Sequence, residues 1–407
     1  MKVTFVLPEL KQRLTLLSTV AKKSQEALYR NIRVFTDENG IVNLQSIDID
    51  TTMTLKLPAA KADGKVNLLL DYTVFGQIVQ ATPDSSKTVE IESEDETDAT
   101  LFTDELKAQL TTYPTEKFTE LPIVAGIAEK PAFGGYVFGL PGLRDQIEAV
   151  EFAVPASEGR HVVASALLQS TGKELSIIGT TGIVLTMSTI PSALGEFSFT
   201  VPKSALEIIK KLEGGKDVTI SETEGAFFFE TETELVTYNK THAEFPPYQT
   251  ILPKPGDAAT VITFKEKDQL IAKLNRIKPL CSSLADEKSV PVNMSYDGKG
   301  AVAFLASKEE KSATIGSLFR DLACDDLAVE GTGPAILIRF DISMMLPFFE
   351  RATFPISMYL KSDHNIADMH AASGTPEKPT YRHLLMPMRL NSGEGITTVP
   401  MKFKNKK

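Results

Sequence analysis

The chain has 407 residues and a formal charge of −10, a length that supports two or three domains with their own cores and a balance that excludes a nucleic-acid binder basic over its whole surface, though not a local basic surface on an acidic body. No apolar run approaches the ~18 residues of a membrane span, and the opening MKVTFVLPELKQRL is charged rather than signal-like, so a soluble cytoplasmic protein is expected. Two cysteines, Cys281 and Cys324, cannot build a disulfide framework and lack zinc-ligand spacing, so both read as buried thiols.

In chain order, VTFVLPELKQRLTLLSTVAKK reads as a strand entering a helix at Pro8, with Leu10, Leu14 and Leu17 as its buried stripe. A second strand–helix unit follows at Lys65 to Ile91, where period-2 spacing changes to helical spacing at Asp71, with Val74 and Ile78 on one face. Units recur from Tyr136 (YVFGLPGLRDQIEAV), from Phe197 (FSFTVPKSALEIIKKLEGG, turning at Pro202, with Leu206, Ile209 and Leu212 on one face), from Thr260 (TVITFKEKDQLIAKLNRI) and from Pro334, turning at Asp341. Six units result, two per domain. They are spaced too widely for a solenoid, whose period is about 20 to 50 residues.

Proline-rich joins at Thr112 to Pro122 and Glu244 to Asp257 place the domains at 1–134, 135–255 and 256–390, with a polar tail at 391–407. Alternating strands such as ELSIIG and GAFFFET fill the rest, so the fold class is α+β with antiparallel sheets.

Catalytic lookalikes read as structural. Asp48 and Asp50 share a face because alternate strand positions do, His364 and His370 occupy a loop before the final strand without regular metal spacing, and the GTTG at Gly179 lacks the Lys-Ser/Thr of a phosphate loop. No cofactor, metal or catalytic residue is expected. The basic residues carry more information: Lys265, Gln269, Lys273 and Arg276 share a helical face, with Lys11, Lys22 and Lys23, and Lys203, Lys210 and Lys211, as counterparts. Each alone is an ordinary solvated face. Repeated around an axis, they would meet a polyanion without reading its sequence.

The segments GRHVVASALLQ, ELSIIGTTGIVLTMS, FTVPKSALEIIKKLEGG, EFPPYQTILPK and MPMRL resemble the bacterial β sliding clamp, the processivity subunit of the replicative DNA polymerase. The resemblance follows the order of elements from Met1 to Leu390 and is strongest from Tyr136 to Lys254. It implies three similar domains per chain, a head-to-tail homodimer closed into a six-domain ring, and helices lining a hole for duplex DNA. It implies no enzymatic activity, a loader that opens the ring, and a pocket where the polymerase and other replication or repair proteins dock short peptides.

Carried over by position, the DNA-facing residues are Lys22, Lys23, Lys203, Lys211, Lys273 and Arg276, and the dimer contacts are Leu110 and Leu280. The peptide pocket is Val163, Thr180, Gly182, Ile183, Val184, Leu185, Pro246, Thr250, Ile251, Leu384, Met386, Pro387, Met388, Arg389 and Leu390. A domain-joint core is the alternative reading of that set. Two departures stand out: Thr181-Gly182-Ile183-Val184-Leu185 replaces the family's Asp-Gly-His-Arg-Leu, and 17 residues follow Leu390. Both fit a divergent clamp with a greasier pocket, whose tail segment Val399 to Phe403 could compete for it. The alternative function is a multidomain β-rich scaffold or structural protein that does not bind DNA.

Overall fold

The computed structural model describes residues 1–21, 28–94, 98–119, 135–157, 164–240, 244–254, 256–283, 289–312, 316–371 and 380–388, without the side chains of 28, 117, 119, 307–312 and 316–324. Apart from one helical turn at Glu116–Thr119, its α-helices are α1 (Leu7–Ala21), α2 (Tyr72–Ala81), α3 (Leu140–Val150), α4 (Lys203–Ile209), α5 (Lys267–Ser283) and α6 (Ile342–Arg351). Each follows a strand, in order Lys2–Val6, Asn67–Asp71, Tyr136–Gly139, Glu196–Pro202, Thr260–Phe264 and Ile336–Asp341. These are the six units read from the sequence.

The switch from strand to helix has a local cause in several units. Pro8 sits in the first turn of α1, where a missing N–H is harmless. Asp71 Oδ1 accepts from Val74 N at 3.0 Å, and Asp341 Oδ1 from Ser343 N at 2.9 Å, each satisfying an orphan donor. Leu10, Leu14 and Leu17 are fully buried, as expected of the α1 stripe. In α2 the expected face is corrected: Val74 is 51% exposed, and Tyr72, Phe75, Gly76 and Val79 face inward. The bulkier Phe75 and the Tyr72 ring decide the orientation. Tyr72 Oη donates to Leu14 O at 3.2 Å, and its ring lies against Gly76, where a Cβ would approach Cζ to 3.4 Å.

The chain forms two compact units, Met1–Asp145 with Ser204–His242 and Gln146–Lys203 with Ala243–Lys407. Hydrogen-bonded sheets explain why the middle stretch is shared out. In the first unit Glu234–Asn239 pairs antiparallel with Thr51–Leu57, Val236 opposite Met53, so strands of the first and middle stretches belong to one sheet of thirteen. In the second, Val184–Pro191 pairs antiparallel with Tyr381–Leu385, Leu185 opposite Leu384, within a sheet of nine.

The second unit also contains a four-stranded antiparallel sheet around Pro291–Tyr296. Between these sheets' side chains, Leu270, Leu274 and Ile277 of α5 and Met345, Phe348 and Phe349 of α6 join one core with Ile262, Met358, Val292 and Phe304. Full burial of such side chains contributes about 1.5–3 kcal/mol each. The Cys281 thiol lies in this core, and burial pushes its pKa up to about 11, as an inert thiol requires.

Candidate partner-peptide and DNA surfaces

The expected peptide surface is built by a hairpin, a turn and the end of a strand, all in the second unit. Strands Glu174–Thr180 and Val184–Pro191 meet at a tight turn where Gly182 has φ +86°, a conformation that favours glycine. Thr180 Oγ1 donates to Val184 O at 2.7 Å and accepts from Gly182 N at 3.1 Å, holding that turn. Ile183 is thereby set at the tip. Met386 N donates to Ile183 O at 2.9 Å, continuing the ladder in which Val184 opposes Leu385.

Strand alternation then sorts the residues. Leu185 and Leu384 pack on one face with Leu167, Ile178 and Tyr248, whereas Val184 and Leu385 turn into the main core. Val184 and Leu185 therefore cannot line one pocket together. Tyr248 Oη donates to Gln169 Oε1 at 2.9 Å and fixes the 3₁₀ turn Tyr248–Ile251 over this floor. The result is a buried apolar floor and three large apolar side chains left in solvent: Ile183 at 50%, Ile251 at 47% and Met386 at 47% exposed. Thr250 is exposed, Pro246, Pro387 and Met388 are half-buried, and Met388 N donates to Arg339 O at 2.8 Å. Val163, Arg389, Leu390 and the 391–407 tail lie outside the described residues.

The cations are less free than their spacing suggests. Lys203 Nζ donates to Val154 O at 2.7 Å. Lys273 Nζ and Arg276 Nη1 converge on one carboxylate, Asp325, at 2.8 and 3.1 Å. Lys265 pairs with Glu330, and Lys11 with Asp84 at 2.6 Å. Lys211 is exposed, and Lys22 and Lys23 lie outside the described residues. Of the two dimer contacts, Leu110 is only 3% exposed on strand Lys107–Tyr113, where alternation turns it inward, so it offers almost no surface in this conformation. Leu280 is half-buried against the α5 core.

The catalytic lookalikes have structural duties. Asp50 accepts from Thr51 Oγ1 at 2.8 Å and from Tyr238 Oη at 2.5 Å, and burial followed by that carboxylate raises the phenol's pKa. His370 is on a strand, Ala367–Ala371, not in a loop, because ADMHA alternates against both neighbouring strands. Its Nε2 meets Asp368 Oδ1 at 2.8 Å. Among the described residues, no group of three His, Cys, Asp or Glu could hold a metal.

One feature was missed in the sequence. Arg382 clasps Asp368 through Nε at 2.8 Å and Nη2 at 2.7 Å. Burial opposes ionisation of Asp368, but His370 and Arg382 outweigh it and hold the carboxyl below its usual range. The signal was the alternation of Asp368 with His370 and of Arg382 with Leu384 on paired strands.

No protein-family model and no curated protein matches the chain. Solved structures do. The DNA polymerase III subunit beta of Pseudomonas aeruginosa superposes with a TM-score of 0.80 at 18% identity, over 96% of this chain and 100% of that one. This chain has the sliding-clamp fold. The beta subunit of Thermotoga maritima matches at 0.77 and 19% identity, covering 96% and 99% of the two chains, and a beta subunit of Eubacterium rectale at 0.80 and 18%, covering 96% and 100%. The clamp fold thus spans nearly the whole chain.

Proposed function

We propose that the protein is a DNA sliding clamp that confers processivity on a replicative polymerase. The observation that carries this is the set of six strand–helix units, tied by sheets that run from one expected domain to the next, in a chain of which 96% matches a beta subunit. Three clamp domains, 1–134, 135–255 and 256–390, would give a head-to-tail homodimer of six domains, with Lys22, Lys23, Lys203, Lys211, Lys273 and Arg276 toward duplex DNA.

Its mechanism is topological and involves no catalysis. A closed ring stays on DNA without strong phosphate contacts, so it slides while holding a tethered polymerase at high effective concentration. An acidic body with a local basic lining suits that role, because the outside repels DNA while weak phosphate contacts in the hole still allow sliding. A loader would open the ring, and partners would dock short peptides on Ile183, Ile251 and Met386 by burying an aliphatic or aromatic anchor. The cytoplasm is the setting such a protein requires.

Sedimentation tests the ring: a dimer is expected at micromolar concentration, and monomer alone would contradict it. The pairing of Lys273, Arg276 and Lys203 with protein acceptors favours, as a second reading, a scaffold of the same fold that does not bind DNA.

A further inference from the structure

The methionines of the chain are unevenly placed. Met53, Met294, Met345, Met358 and Met369 are completely buried, Met187, Met344 and Met388 are half-buried, and Met1 is 37% exposed. Met386, at 47%, is the most exposed of the described methionines, and Ile183, at 50%, is its neighbour on the expected docking surface. Met401 lies outside the described residues. A hydroperoxide converts an accessible thioether to a polar sulfoxide that reductases reverse, whereas the hydrocarbon side chain of Ile183 is inert to the same oxidant. The backbone at Met386 does not depend on that chemistry. Its N–H donates to Ile183 O at 2.9 Å, next to the ladder pair Val184–Leu385, so an oxygen added to the exposed side chain changes the surface and spares the fold.

We propose that Met386 is a site of reversible oxidation, through which a hydroperoxide such as hydrogen peroxide weakens peptide docking. The inference rests on the peptide-docking reading above and adds a regulation to it. In the step, a sulfur lone pair attacks one peroxide oxygen, the O–O bond breaks, and the proton on the transferred oxygen passes to the departing hydroxide, leaving a sulfoxide and water. Sulfur is oxidised and the peroxide is reduced. The sulfoxide oxygen is a strong acceptor that an apolar anchor cannot satisfy, so docking would bury an unpaired polar group. Two observations support this site. Exposure singles Met386 out from the buried methionines, and its backbone bond to Ile183 ties the oxidisable residue to an exposed apolar neighbour on the same surface.

The test treats the full chain and its Met386→Leu variant with hydrogen peroxide, follows each methionine by mass analysis of digests, and reads binding by anisotropy with labelled short peptides, each carrying one aliphatic or aromatic anchor in an Ala/Gly background. Each protein is compared with its own untreated form. In the parent, Met386 should oxidise ahead of the buried methionines, affinity should fall about tenfold, and the two epimer-specific methionine sulfoxide reductases should restore it. Met386→Leu should change little on the same treatment. Oxidation of a buried methionine ahead of Met386, unchanged affinity in the oxidised parent, or an equal loss in the treated variant would overturn the switch, while binding by the untreated parent leaves the docking surface standing. Absence of binding of every peptide to the untreated parent would overturn both.

Discussion

Arg13 Nη1 in α1 donates to Glu234 Oε1 at 2.8 Å, and the Glu234 side chain is completely buried. The same carboxylate accepts from Glu213 N at 3.0 Å, Gly214 N at 2.9 Å and Thr231 Oγ1 at 3.2 Å. It thus gathers the turn after α4, the strand Glu234–Asn239 and α1 at one point. Gly214 is required there, since a Cβ would come within 2.3 Å of Thr231 Oγ1. Removing one partner of a buried pair costs about 3–5 kcal/mol, so Glu234→Ala should lower the first thermal unfolding transition by many degrees. Arg13→Met leaves the carboxylate its other donors and should cost less. A larger loss for Arg13→Met than for Glu234→Ala would contradict this hub.

His383 makes stability depend on mildly acid pH. It is completely buried, stacks on Phe348 at 4.9 Å and meets Thr186 Oγ1 at 2.8 Å through Nδ1. Burial pushes its pKa down to about 3, against the pull of Asp368. The unfolded imidazole protonates near 6.5. Between about 6.5 and 3 the unfolded chain holds a proton that the folded one refuses, so stability falls as pH falls, by up to about 1.4 kcal/mol per pH unit. Asp368, held below its usual range, loses its stabilising charge only at lower pH. Urea midpoints from pH 6.5 to 5 should therefore drop more steeply in the parent than in His383→Gln. Equal slopes would remove His383 as the cause.

Asp325 restrains the cationic face of α5. With Lys273 and Arg276 both on its carboxylate, Asp325→Asn removes one negative charge and frees two donors. If α5 faces DNA, affinity should rise and the slope of log K against log salt should steepen by about 1. Titration of linear duplex at several salt concentrations measures this, and an unchanged slope would place these cations away from phosphate.

The apolar docking surface is checked by Ile183→Asp and Met386→Ala, exposed changes that spare the floor. Each should weaken binding of a short peptide that carries one aliphatic or aromatic anchor, by about 2 kcal/mol where the anchor is well buried, and leave thermal stability within about 0.5 kcal/mol. Leu185→Ala is a poorer probe. Leu185 is 2% exposed, and its loss should cost about 2–5 kcal/mol of stability.

Local signals were legible in the sequence at several strand–helix switches, though the buried face of α2 was not among them. Asp71 and Asp341 read as the points where a strand gives way to a helix, and their carboxylates do cap the next turn, while Leu10, Leu14 and Leu17 read as a stripe that helical spacing puts on one face. Long-range choices were not legible. Nothing near Lys203 announces that Val154 O will take its ammonium, and nothing near Arg13 announces Glu234. Leu110 carries over from the resemblance as a surface contact, yet strand parity turns it inward. Within the docking surface, the segments were found but their parity was not, which is why Val184 was grouped with Leu185 although the sheet sends them to opposite faces.

The central claim, a ring around DNA, is tested most directly by topological retention. The protein is loaded on nicked circular duplex with a clamp loader and ATP, separated from free protein in high salt by gel filtration, and the circle is then linearised with a restriction enzyme. The account predicts that protein stays with the circle at a salt concentration that abolishes ordinary phosphate binding, and leaves within minutes of linearisation by sliding off the ends. Loss from the intact circle in high salt, or equal retention on circular and linear DNA, would contradict it.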